Sequence, residues 1–286
     1  MNPALRVAGA LYRAINRVRR ELYRKGILKP KRLPRPVVSV GNISMGGAGK
    51  TPAVIAIGRH LIDRGYRVAV LTRGYGRSGT AQGLMTAVDP QSWGDEPSLI
   101  KSRLDKADVI VGSNRHANAV HYLRSNSTDI FILDDGFQHL QLHRDLDVVI
   151  DGGEQSIRPG LSREGSSALR DADIVIPRRL RLEIPDALKR QRLYAFAGLA
   201  DPEQFFASLR AAGLTVAGTQ AFPDHYPYSE RDLEDIAARA ARANADAIVT
   251  TEKDAVKIAR RDIIPVRAEF VIEPAVLDRI TALLQR

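Results

Sequence analysis

The chain is 286 residues long, 27% of them charged and none of them cysteine. That length exceeds the ~100–200 residues of an ordinary domain and points to two domains, while the lack of cysteine excludes disulfides, thiolate metal sites and cysteine nucleophiles and suits a reducing cytoplasm. The net charge of +10 excludes less than it suggests: residues 1–35 hold eleven Lys/Arg against the single acid Glu21, and the other 251 residues hold 32 basic and 32 acidic side chains. With a neutral body and only 6% aromatics, no nucleic-acid partner is expected.

In the basic arm, Leu11, Ile15, Val18 and Leu22 recur at spacings of four, three and four, forming one apolar stripe of a helix with arginines around it. Its longest uncharged run, Val7 to Tyr12, is far below the ~18–20 residues a membrane span requires, and no secretory signal is present. Charge alone leaves three readings open: a helix packed on the body, a nucleic-acid arm, or an anchor on an anionic leaflet. "KPKRLPRP" then breaks any helix, and "VVSV" reads as a short buried strand entering a glycine loop. A helix is predicted from Pro52 to about Arg64. Brief aliphatic strands follow at Val68–Leu71, 107–112, 129–136, 147–152 and 172–177. Short apolar strands alternating with helices predict a mostly parallel α/β sheet of the P-loop type, covered on both faces, with function at the C-terminal strand ends. The charged stretch 178–192 bridges to a second, smaller α/β unit. The expected division is a basic arm at 1–35, a nucleotide-binding domain at 36–180 and a C-terminal domain at 181–286.

"SVGNISMGGAGKTP" (39–52) ends as a phosphate-binding loop ends, but Ser44 stands where the common pattern has its first glycine. A strand, "GGAGKT" and a helix still supply what phosphate needs: inward-turned backbone N–H groups over Gly46, Gly47, Ala48 and Gly49, and a helix start. Lys50 would reach the β/γ-phosphates of ATP and Thr51 would place its hydroxyl on Mg²⁺. "IFILDDGFQH" delivers Asp134 and Asp135 at a strand tip, where adjacent carboxylates suit a cation. "WGDEPSL" adds Asp95 and Glu96, and "FPDHYPY" adds Asp224 and His225; a carboxylate–histidine pair among them would serve an acceptor hydroxyl if the two meet in space.

Together "VGNISMGGAGKTP", "LTRGYGR", "GDEP", "LDDGFQHLQLHRDLDVV", "FPDHYPY" and "TEKDAVK", in this order over about residues 37–258, resemble the tetraacyldisaccharide 4'-kinase (lipid A 4'-kinase) family of the P-loop NTPase superfamily. In that family a hydroxyl residue is ordinary at the position of Ser44. The resemblance implies ATP·Mg²⁺-dependent phosphorylation of the 4'-hydroxyl of a lipid-linked glucosamine disaccharide by a peripheral enzyme on the cytoplasmic face of the inner membrane. It also implies a two-domain fold with the active site between the domains. Asp95 resembles the catalytic base and His225 its partner; Lys50 resembles the lysine on the transferred phosphate, and Thr51, Glu96, Asp134 and Asp135 the nucleotide and Mg²⁺ ligands. Arg73, Arg115, His139 and Arg163 resemble contacts to phosphates or the disaccharide. The loop "GGEQSIRPGLSREG" is shorter than is usual in the family and keeps the Arg163–Glu164 pair. "TEKDAVK" fits either a nucleotide-side role or a strand-end turn. A lipid substrate raises the membrane reading of the arm, and a monomer is expected. The competing class is a nucleotide-switched binding protein or GTPase-like ATPase that uses the arm for docking and needs no acceptor-side base.

Overall fold

The structure, a computed structural model, describes residues 3–43, 49–74, 79, 81–152 and 166–285. The basic arm is a helix, α1 (Pro3–Arg24). The first sheet is built from β1 (Val37–Asn42), β2 (Val68–Thr72), β3 (Gly83–Leu84), β4 (Asp108–Val111), β5 (Ile130–Asp134), β6 (Leu146–Asp151) and β7 (Ile174–Pro177). Their spatial order is β3-β4-β2-β5-β1-β6-β7, and every pair but β3–β4 is parallel. Parallel strands need crossovers, and in this half they are supplied by α2 (Lys50–Asp63), by the short α3 (Pro90–Trp93) with α4 (Asp95–Arg103), and by α5 (Arg115–Tyr122). β1 is buried along its whole length, as its Val-rich sequence anticipates for a central strand covered on both faces. The helix α2 turns Ala53, Val54, Ile57 and Leu61 into the core at the three- and four-residue spacing of a helical face.

The second sheet contains β8 (Leu180–Glu183), β9 (Arg192–Gly198), β10 (Thr215–Phe222), β11 (Ala247–Thr251) and β12 (Ile263–Phe270), ordered β10-β9-β11-β12-β8. Only β8 runs antiparallel to its neighbour. The helices α6 (Pro202–Ala211), α7 (Glu230–Arg242), α8 (Glu252–Ala255) and α9 (Pro274–Thr281) complete this half. Local sequence sets their starts. Asp201 accepts from the Gln204 amide ahead of Pro202, and Ser229 and Asp232 form a reciprocal capping box on α7. The charged stretch 178–192, read from sequence as a bridge, carries the edge strand β8 and a turn of 3₁₀ helix at Asp186–Arg190.

Apolar clusters cover both faces of each sheet, and the two halves are not separated at the end of the chain. Phe270, at the tip of β12, and Ile280, on α9, pack into the core of the first sheet with residues of α2, so the C-terminal segment ties the halves together. Strand register then fixes the chemistry. Val40 of β1 lies beside Asp134 of β5, which brings the start of the glycine loop next to the acidic strand tip.

Candidate active site

The first half of the site lies at the C-terminal ends of β1, β2 and β5, where open α/β sheets bind ligands. Lys50, the first residue of α2, donates to Asn42 Oδ1 at 3.2 Å and stands 3.5 Å from Asp135 Oδ1. Gly49 precedes it at φ 83, a left-handed conformation that suits glycine and turns the chain into the helix. Thr51 follows in the first turn of α2. Asp134 is buried, and its Oδ2 accepts from the Thr72 hydroxyl at 2.9 Å. Burial, then the charges of Glu96 and Asp135, push Asp134 up to about 7, against the Thr72 hydrogen bond and the charge of Lys50. Asp135 adopts φ 51, a left-handed conformation that Asp tolerates. It is followed by Gly136, where a Cβ would lie 2.6 Å from Ser39 Oγ.

The second half pairs residues from different sheets. Asp95 opens α4 and is buried; its Oδ2 lies 3.0 Å from His225 Nδ1, which comes from the loop after β10. Burial pushes Asp95 upward, but the His225 hydrogen bond and the charges of Lys257, His225 and Lys253 outweigh it and hold the carboxyl below its ordinary range. Asp95 is therefore ionised at neutral pH, in a helix first turn where the backbone dipole also favours a carboxylate. Glu96 joins the two halves: its charge acts on Asp134, and its Oε1 lies 3.8 Å from Lys253 Nζ.

A basic wall borders the acidic strand tip. Arg115, buried at the start of α5, places NH1 3.2 Å from His139 Nδ1, and its Nε has no hydrogen-bond partner among the described residues. Burial, followed by the charges of Arg115, Arg144, Arg19 and Arg73, pushes His139 down to about 4. Arg73 is exposed at the mouth of this wall. A neutral imidazole among arginines, next to an unpartnered guanidinium nitrogen, suits an anionic ligand.

The fit to a divalent cation can be read from the acidic tip. Asp134 Oδ1 is buried and without a hydrogen-bond partner among the described residues, with Asp135 and Glu96 close enough to repel it. One positive ion would answer both conditions. Among the described residues no three carboxylate or imidazole groups form a protein-only cage, and Mg²⁺ needs none, since it takes one or two carboxylates with waters and substrate phosphates.

The family described as tetraacyldisaccharide-1-P 4'-kinase matches residues 1–187 and 179–285. The chain belongs to this family. It is similar to the tetraacyldisaccharide 4'-kinase of Pelobacter propionicus, 36% identical over 327 residues that cover 96% of this chain and 91% of that protein. It is also similar to the Geobacter metallireducens tetraacyldisaccharide 4'-kinase, at 37% identity with 89% and 88% coverage. Among solved structures, the "apo" form LpxK from Aquifex aeolicus in complex with ATP matches with a TM-score of 0.80 at 30% identity, covering 98% of each chain.

Of the residues singled out from the sequence of this 4'-kinase family member, Lys50, Thr51, Asp134 and Asp135 come together at the strand ends. Asp95, Glu96 and His225 meet across the two sheets, and Arg115, His139 and Arg73 form the basic wall. Ser44, Gly46, Gly47, Ala48 and Arg163 lie outside the described residues. Sequence reasoning missed Asn42 and Thr72, strand-end residues that hold Lys50 and Asp134. It also noticed "TEKDAVK" without finding its place: Lys253 and Lys257 stand against His225 and Asp95. The signal was two lysines four apart directly after a strand, one helical turn between them.

Proposed function

We propose that this chain transfers the γ-phosphoryl group of ATP to the 4'-hydroxyl of a tetraacylated glucosamine disaccharide lipid. The observation that carries the reading is the pair of buried Asp95 and half-buried His225 beside a phosphate-binding lysine and an acidic strand tip. A nucleotide switch has no use for an acceptor-side base, whereas a kinase requires one. Lys50 holds the β- and γ-phosphates and neutralises charge developing there. Asp134, Asp135, Glu96 and the Thr51 hydroxyl would hold Mg²⁺, which when bound neutralises phosphate charge and orients the γ-phosphoryl group for in-line attack. Asp95 takes the proton of the 4'-hydroxyl as its oxygen bonds to the γ-phosphorus and the bond to ADP breaks. His225 orients Asp95. Arg115, His139 and Arg73 face the anionic groups of nucleotide or lipid.

Both halves of the site come from one chain, so a monomer suffices. Residues 36–180 serve the nucleotide and 181–286 complete the acceptor side. The arm α1 serves the lipid. Two polar residues of α1 face the body: Asn16 is 4% exposed, and the Arg20 guanidinium lies 4.0 Å above the Phe137 ring while donating to the Phe137 carbonyl. Two of its apolar residues face outward, Ile15 at 50% and Val18 at 58% exposed. A helix that turns apolar side chains away from its own protein, among arginines, fits an anionic leaflet. No helix among the described residues is long and apolar enough to cross a membrane. On this reading the enzyme acts as a peripheral protein on the cytoplasmic face of the inner membrane, the side that supplies ATP.

The test is ADP formation with and without the lipid disaccharide in detergent micelles. The proposal expects ATP consumption to require the acceptor; equal consumption in its absence would favour the switch reading.

A further inference from the structure

The stretch Thr251–Lys257, "TEKDAVK", supplies no ligand to the phosphates in the chemistry above, yet each of its charged side chains is engaged at the junction of the two sheets. Glu252 pairs with Arg103 at the far end of α4, with both side chains largely buried. Lys253 Nζ lies 3.3 Å from His225 Nε2, 3.2 Å from Asp224 Oδ1 and 3.8 Å from Glu96 Oε1. Lys257 Nζ lies 3.6 Å from Asp95 Oδ2, 2.8 Å from Asp254 Oδ1 and 5.0 Å from the centre of the Tyr228 ring. One short segment of the second sheet therefore grips α4 of the first at both ends, and the end it grips with lysines carries Asp95.

The chemistry of these contacts is specific. An ammonium has donors and no acceptor, so His225 Nε2 accepts from Lys253 and the ring hydrogen resides on Nδ1, where it is donated to Asp95 Oδ2. Lys257 approaches the same oxygen. It does not close on it, because its shorter contact is to Asp254, a fully buried carboxylate that also accepts from the Gly198 amide at 3.0 Å and the Thr251 hydroxyl at 2.7 Å. Asp254 thus fixes where Lys257 stands, and the Tyr228 face holds its ammonium from another side. His225 hydrogen-bonds Oδ2 and Lys257 stands 3.6 Å from that same oxygen, whereas among the described residues Oδ1 has no hydrogen-bond partner and is the oxygen left for an acceptor.

We propose that Lys257 and Lys253 are positioning residues for phosphoryl transfer: Lys257 fixes the orientation of the Asp95 carboxylate through Oδ2, Lys253 fixes the Nδ1–H tautomer of His225, and Asp95 Oδ1 takes the acceptor proton. This rests on the kinase reading above. Neither lysine touches the reacting atoms: Lys257 acts through Asp95 and its effect belongs to turnover, while Lys253 acts through His225 and also stands 3.8 Å from Glu96 on the Mg²⁺ side.

The experiment uses the full chain with ATP and the lipid disaccharide in mixed micelles. Lys257→Met and Lys253→Met are each expected to lower kcat by roughly 10- to 100-fold, the scale of loss for a misplaced catalytic group, and Lys257→Met should leave KM for ATP little changed. Lys257→Arg, which keeps the charge, should recover part of the rate. The decisive arm repeats Lys257→Met in an Asp95→Asn background, where a residue acting through Asp95 should add less than about twofold. If Lys257→Met lacks a cooperative melt, Lys257→Met with Asp254→Asn removes the stranded carboxylate and takes its place in both arms. Wild-type kcat in the lysine variant, or the same fold-loss with and without Asp95, overturns the proposal. Failure of the wild type to phosphorylate the lipid would instead overturn the kinase reading itself.

Discussion

His225 Nδ1 lies 3.0 Å from Asp95 Oδ2 although 130 residues separate them in the chain. The contact joins a helix of the first sheet to a loop of the second, so the acceptor-side base exists only when both halves are folded and docked. His225 holds φ 60 at that point, a left-handed conformation uncommon for a residue other than glycine. Such a backbone persists where surrounding structure over-determines it, and here the ring is held between Asp95 and Lys253.

Asp95→Asn and His225→Ala are therefore expected to lower kcat for lipid phosphorylation by roughly 10²- to 10⁴-fold, the usual contribution of a positioned general base. KM for ATP should change little, because neither residue lies on Lys50 or Asp134. Steady-state kinetics with the lipid acceptor read both numbers.

Much of this site was legible in the sequence. The glycine loop, the Asp134–Asp135 tip and the Asp95 and His225 motifs each carry residue types that their chemistry demands, at spacings set by a strand end or a helix start. The pairing of Asp95 with His225 was not legible, because it depends on how the two sheets dock. Nor was the place of Lys253 and Lys257, whose partners are split between the halves: Glu96 and Asp95 on α4 of the first, His225 and Asp254 in the second. The outward face of α1 was also hidden: the Ile15 and Val18 stripe reads equally well as packed on the body or as turned from it. Only the burial of Asn16 and Arg20 decides between them.

Gly41, at the end of β1, presses on the acidic loop. A Cβ there would lie 2.4 Å from Phe137 Cβ and 2.8 Å from the Phe137 backbone nitrogen. Gly41→Ala should cost about 1–3 kcal/mol, as overpacking of a tight interior does, and should displace the loop that bears Asp135. Urea denaturation measures the loss, and a fall in activity beyond it reports the displaced loop.

On α1, Ile15→Glu with Val18→Glu should weaken sedimentation with anionic vesicles while leaving the melting temperature near that of the wild type, since both side chains are already exposed. Arg20→Ala should behave differently. It loses the Phe137 stacking and carbonyl contacts, so it should cost on the order of 1–2 kcal/mol of stability. Vesicle binding and thermal melts on the same samples separate the two outcomes.

His139 gives stability a pH signature. Its imidazole protonates near 6.5 in the unfolded chain but only near 4 in the fold. Across that window the unfolded state binds more protons, so stability falls as pH drops from about 6.5 toward 4, by up to roughly 3 kcal/mol. His139→Gln should flatten this part of the profile, and the difference between wild-type and variant urea midpoints at pH 7 and pH 4.5 isolates it from the carboxylates.

The γ-phosphoryl group passes from ATP to a lipid hydroxyl under the control of Lys50 and Asp95. Mass spectrometry of the lipid disaccharide after incubation with ATP and Mg²⁺ tests it most directly. The expected result is a gain of one phosphoryl group with the wild type and none above background with Lys50→Ala or Asp95→Asn, each variant keeping a cooperative melt. An unchanged lipid mass alongside continued ATP consumption by the wild type, or full phosphorylation by either variant, would contradict it.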